Sequence, residues 1–95
     1  MYVHGYFKFA IDRFEYVVGD KVILVDADAK IEYGKDYEGA STWDFASLEI
    51  NYAEDDYGNT IKFTADEEKQ VSEIIMINFY TNDWSIISEI MDLGY

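Results

Sequence analysis

Apolar and polar residues alternate through the first two thirds of the chain, and the period changes near residue 64. The clearest stretch is residues 21–33. Ile23, Val25, Ala27, Ala29, Ile31 and Tyr33 share one parity, and Asp26, Asp28, Lys30 and Glu32 share the other. Successive side chains on a strand point to opposite faces, so this segment predicts a strand with one apolar and one wet, mostly acidic face. Residues 2–11 alternate in the same way: Phe7, Phe9 and Ile11 oppose Tyr6, Lys8 and Ala10. Asp12-Arg13 reads as the start of a turn, residues 14–18 as a second strand or irregular chain, and Gly19-Asp20 as a turn. Gly34, Gly39 and Ser41 predict a loop over residues 34–44. Residues 45–52 predict a strand with Leu48, Ile50 and Tyr52 inward and Ser47, Glu49 and Asn51 outward. A hairpin loop over residues 54–59 then leads to a short strand, 60–63, that buries Ile61 and Phe63.

From Thr64 the period is helical. Thr64-Ala65-Asp66-Glu67 has the form of a capping box, and Asp66, Glu67 and Glu68 suit the positive end of a helix dipole. Val71, Ile74, Ile75 and Phe79 follow at helical spacing, which predicts a helix from 65 to about 80 lying on the apolar sheet face. Residues 74–79 are apolar enough to read as strand as well. Thr81-Asn82-Asp83 offers a second N-cap, Trp84, Ile87, Ile90 and Met91 a second periodic run, and Gly94 a C-cap. The class is α+β: an antiparallel sheet of about four strands followed by one or two C-terminal helices packed on one face. The two alanines of residues 21–33 leave room where a helix crosses. A chain of 95 residues with no proline, linker or repeat reads as one domain, 1–95.

Composition narrows the chemistry. With 49% hydrophobic and 18% aromatic residues the chain is too apolar for disorder. The absence of cysteine excludes disulfides and thiolate metal sites. No apolar run is long enough to span a membrane, and the first residues lack the basic and apolar segments of a signal peptide, so a cytoplasmic protein is expected. Twenty Asp and Glu against seven Lys and Arg give a formal net charge of −13. Such a body stays soluble, repels itself, and repels nucleic acid and anionic membranes. A partner engaged by its charged faces is therefore a basic protein surface. Direct nucleic-acid binding is disfavoured, since phosphate contact depends on Lys and Arg.

Candidate chemistry is sparse. His4, the one histidine, has no Ser, Cys or carboxylate at a recognised spacing and reads as a strand residue. Glu54, Asp55 and Asp56 with Gly58 and Asn59 do not meet the ligand spacing of an EF-hand and read as a solvated hairpin tip. Among twenty acids some pair always lies at a suitable separation, so paired carboxylates carry no signal. Without a nucleophile, metal cluster or phosphate loop, the expectation is no enzyme, no cofactor and no metal. Tyr37 and Trp43, interleaved with Asp36, Glu38 and Asp44, read as structural aromatics or as interface anchors.

The acidic strand face is the most informative pattern. Residues two apart on a strand lie about 6.6 Å apart. Asp26 and Asp28 therefore start a row of negative charge that ends near Glu32, with Lys30 interrupting it. A row at this spacing suits a basic groove built for a phosphate backbone; its bland alternative is a solvated sheet face.

Residues 22–33, Ser47-Leu48-Glu49-Ile50, the Gly58-Asn59 turn, Ile61-Lys62-Phe63-Thr64 and Asp66-Glu67-Glu68 together resemble small acidic proteins encoded by bacteriophages. The resemblance covers roughly residues 21–80. That class includes anti-CRISPR and anti-restriction inhibitors, some of them mimics of DNA, and it implies no catalytic residues. It implies an inhibitor acting in the host cytoplasm, as monomer or homodimer, on a CRISPR effector or another nucleic-acid-binding defence protein. The residues expected to meet that partner are Asp26, Asp28, Glu32, Glu49, Glu54, Asp55 and Asp56 for charge, with Tyr37 and Trp43 as anchors. The alternative expectation is a small phage structural or assembly protein that oligomerises through an apolar patch.

Overall fold

The computed structural model describes residues 2–94. Three long strands, β1 (Tyr2–Val18), β2 (Lys21–Lys35) and β3 (Ser41–Glu54), form an antiparallel meander in the order β1-β2-β3. Two helices follow, α1 (Ala65–Thr81) and α2 (Trp84–Asp92). The α+β class and the helices after the sheet agree with the sequence, but the strands number three rather than about four.

The difference comes from the outer strands. Asp12-Arg13 is not a turn. Ile11 faces Ala27 and Phe14 faces Val25, so β1 carries one extra residue there and runs on as a bulged strand. Arg13 takes up the excess with a φ of 53°, a conformation uncommon outside glycine, and its N–H donates to the Asp26 carboxylate at 2.7 Å. Residues 60–63 are not a strand either. Thr60 makes one bridge to Glu54, and the Ile61 N–H donates to the Ala53 carbonyl at 2.8 Å before the chain turns into the helix cap.

Bulges also reset which residues face inward. β2, paired on both edges, keeps unbroken alternation. β1 has a second shift near His4, and β3 has shifts near Ala46 and Asn51. On β3 the inward set is therefore Trp43 and Phe45, then Leu48 and Ile50, then Ala53. Tyr52, expected inward, pairs with Asp26 and faces outward, and Ala53 is buried in its place.

The turns use glycine where φ must be positive. Gly19, at φ 62° in the two-residue β1–β2 link, suits a type II′ hairpin. The β2–β3 link is only residues 36–40. The Asp36 carboxylate accepts the N–H groups of Glu38 and Ala40, and Gly39 has φ 86°. The expected loop over 34–44 is thus mostly strand. Gly34 is no breaker there: it is buried, and a side chain on it would fall on the Tyr2 carbonyl oxygen.

Both helices cover the same sheet face. Ile11, Val25, Ala27, Ala29, Ile31 and Ala53 from the sheet meet Val71 and Ile75 of α1 and Ile86 and Ile90 of α2. Ala27 and Ala29 lie under the helical layer, where larger side chains would hold it off. Burying each of these isoleucines contributes about 1.5–3 kcal/mol relative to exposure. Thr64 closes the capping box with Glu67 in both directions. Residues 74–79, open to a strand reading, lie within α1. Asp83 precedes α2 but makes no side-chain cap; its backbone carbonyl accepts the Ile86 and Ile87 N–H groups. Gly94 follows α2 at φ 78°, as expected of a C-cap. Among the described residues no helix is long and apolar enough to cross a membrane.

Candidate functional site: the uncovered acidic sheet face

With the helices on one side, the polar parity of the sheet is left bare on the other. Register assigns its members. Along β2 the outward residues are Leu24, Asp26, Asp28, Lys30 and Glu32. Glu54, Tyr52, Glu49, Ser47 and Asp44 lie beside them on β3, and Glu15, Ala10, Lys8 and Tyr6 on β1. Seven carboxylates therefore share this face with Lys8, Lys30 and Arg13. Asp26, Asp28, Glu32, Glu49 and Glu54 are among the seven, so the sheet unites five of the expected site residues.

Several of these carboxylates already have partners. Asp28 accepts from Asn51 Nδ2 at 3.0 Å and lies 3.6 Å from Lys8 Nζ. Glu54 holds Arg13 Nη1 at 3.0 Å and accepts the Tyr52 hydroxyl at 3.3 Å. Lys30 sits 4.6 Å over the Tyr6 ring. The row is thus a negative surface with fixed positive interruptions. Glu49 stands exposed, directly across from Asp28. Between them lies a shallow hollow of about 430 Å³, lined by Tyr6, Lys8, Asp28, Lys30, Ser47 and Glu49 among others.

The remaining expected residues lie elsewhere. Tyr37 tops the β2–β3 link and is 99% exposed. Asp55 and Asp56 belong to the loop at the other end of a body 46 Å long, near Lys21. The Asp55 carboxylate is occupied within its own loop, accepting the N–H groups of Tyr57 and Asn59 and the Asn59 side-chain amide. The Asn59 backbone N–H, ahead of the other donors, holds its carboxyl below the ordinary carboxylate value. Among the described residues no group of three or more His, Cys, Asp or Glu is placed to hold a metal ion.

Trp43 was expected on a loop and instead lies within β3. Its ring stacks on Tyr80 of α1 at 5.2 Å, and its Nε1–H donates to Asp83 at 3.2 Å. Both the ring face and the polar tip are engaged inside the chain. Tyr80 in turn donates its hydroxyl to Asp44. Burial first, then that hydrogen bond and the nearby charges of Asp44 and Glu32, push the Tyr80 phenol up to about 12. One of the seven carboxylates is thereby tied to the helical layer.

No family model, curated protein or solved structure matches this chain.

Sequence reasoning missed two of the three cations of the face. Lys30 was legible as an interruption because it lies on β2 itself. Lys8 and Arg13 reach the row only through the β1–β2 register, and no local pattern in the chain encodes that register.

Proposed function

We propose that the protein is a non-enzymatic binding protein that lays its bare sheet face into a basic, nucleic-acid-binding groove of another protein and blocks it by competition. The observation carrying this reading is the one-sided architecture: both helices cover the apolar face, and the opposite face presents seven carboxylates against three cations along a stiff sheet. Field complementarity of this kind speeds encounter and fixes orientation. The resemblance to phage-encoded inhibitors supports a CRISPR effector or another nucleic-acid-binding host defence protein as the target, with some of the face standing in for phosphates. Asp28, Glu32 and Glu49 would supply charge near the middle of the face, and Tyr37 an aromatic contact at one end.

The test is competition for a candidate effector's nucleic-acid site, read at several salt concentrations. Affinity should fall steeply as salt rises, and Glu32→Lys together with Glu49→Lys should weaken inhibition by more than tenfold while leaving the circular dichroism unchanged. Salt-independent affinity, or full inhibition by the double variant, removes the proposal.

A second reading has one observation behind it. Ile77, Trp84, Met91 and Leu93, on or next to the helices, are more than half exposed, which suits a phage structural or assembly protein that oligomerises through them. Light scattering that finds a large closed assembly would favour it.

A further inference from the structure

The twenty acids are unevenly placed. None precedes Asp12, so the first eleven residues of a chain with net charge −13 carry Lys8 and His4 and no carboxylate. Residues 2–11 form the first half of β1, an edge strand of the sheet. Between the bulge near His4 and the one at Asp12-Arg13, residues 5–11 pair one for one with residues 33–27. This bulge-free stretch, Gly-Tyr-Phe-Lys-Phe-Ala-Ile, has no proline and a high β propensity. Among the described residues no strand pairs with its outer side.

The opposite edge is managed differently. Opposite the same residues 27–33 of β2, β3 carries Asp44 and Glu49, and its bulge near Ala46 falls inside that stretch, whereas the bulges of β1 lie outside residues 5–11. Tyr80 reaches β3 at Asp44, and residues 60 and 61 bond to it at its end. Charge, bulges and cover are the usual means by which an edge avoids pairing. On residues 5–11 the one such device is Lys8, and its ammonium lies 3.6 Å from Asp28 of β2, drawn back over its own sheet.

We propose that residues 5–11 are a dimer interface, pairing antiparallel with the same residues of a second copy. Such a contact is isologous and closes with two-fold symmetry. It yields one six-stranded sheet in the order β3-β2-β1-β1-β2-β3. Paired residues on adjacent strands share a face. With Lys8 at the two-fold axis, Phe7, only half-buried in one chain, would face Phe9 of the other copy, and Phe9 would face Phe7, beneath a shared helical layer. The two acidic faces would then join into one. A second copy is the fitting occupant because this strand lacks the charge that draws basic partners, and it is where two chains of −13 can approach with least repulsion.

The prediction is independent of the proposed function and opposite to it in salt dependence. Screening weakens docking of an acidic face on a basic groove, but it strengthens association of two like-charged chains. Sedimentation of the full chain should show twice the monomer mass, with the dissociation constant falling at least several-fold as salt rises from roughly 0.02 to 0.5 M. The chain has no cysteine, so single substitutions locate the contact. Ala10→Cys, four residues along the strand from its counterpart and ~14 Å from it, should be captured as a dimer by a bis-maleimide of that span. Ser47→Cys on β3, about five strand spacings or ~24 Å from its counterpart, should not. A monomer at every salt and concentration overturns the proposal. So does a dimer captured through Ser47→Cys or Trp84→Cys and not through Ala10→Cys.

Discussion

Tyr80 shows how much one side chain can connect. It lies on α1, stacks on Trp43 of β3 and donates to Asp44 on the edge of the acidic face. Its phenol is raised to about 12, so the folded state favours the neutral form over the ordinary value of 10. The stabilisation linked to this proton is complete below pH 10 and is lost as pH climbs from 10 through about 12. Tyr80→Phe should remove that component of alkaline destabilisation. Difference titration of the parent against the variant, by phenolate absorbance, should isolate one late-ionising group among nine tyrosines. A difference curve centred near 10 would mean that the contact with Asp44 does not hold in solution.

At the scale of the element, the strands show why alternation is informative in one place and misleading in another. β2 has neighbours on both edges, and a bulge there would disrupt two ladders. Its residues 23–33 accordingly alternate without a break, as the sequence indicated. β1 and β3 each have one edge outside the sheet and tolerate extra residues, so parity read from one end fails at the other. That is why Tyr52 was expected inside and Asp12-Arg13 as a turn. Gly34, Gly39 and Ser41 read together as loop breakers and place Trp43 in a loop, yet Gly34 is held in β2 by the backbone of β1 pressing against it. Gly34→Ala should consequently push the start of β1 away. We expect a loss of about 1–3 kcal/mol in stability. Hydrogen exchange should locate the added opening in the first residues of β1 and the last of β2. An unchanged melting temperature would show that β1 does not press on Gly34.

Charge acts at the scale of the whole molecule. Thirteen uncompensated negative charges sit on a body 46 Å long, and the described residues contain two ion pairs, Lys8 with Asp28 and Arg13 with Glu54. Exposed pairs of this kind contribute little. Self-repulsion should therefore dominate the salt response, and moderate salt at neutral pH should raise the melting temperature. Calorimetry in dilute protein, below the range of self-association, separates this effect from dimer formation. A flat or falling melting temperature would mean that the carboxylates are too widely separated, or too well paired, to repel.

The sequence by itself determined the amphipathic character of β2, the capped start of α1, the order of sheet before helices and the sign of the charge. Each is a local or additive property: side-chain period, cap chemistry and charge sum need no knowledge of what lies across the sheet. The tertiary structure decided which carboxylates stand together, which cations interrupt them, and that the ring of Trp43 turns inward onto Tyr80. Those outcomes depend on strand register and on bulges, which are set by packing between residues far apart in the chain, and no nearby residue encodes them.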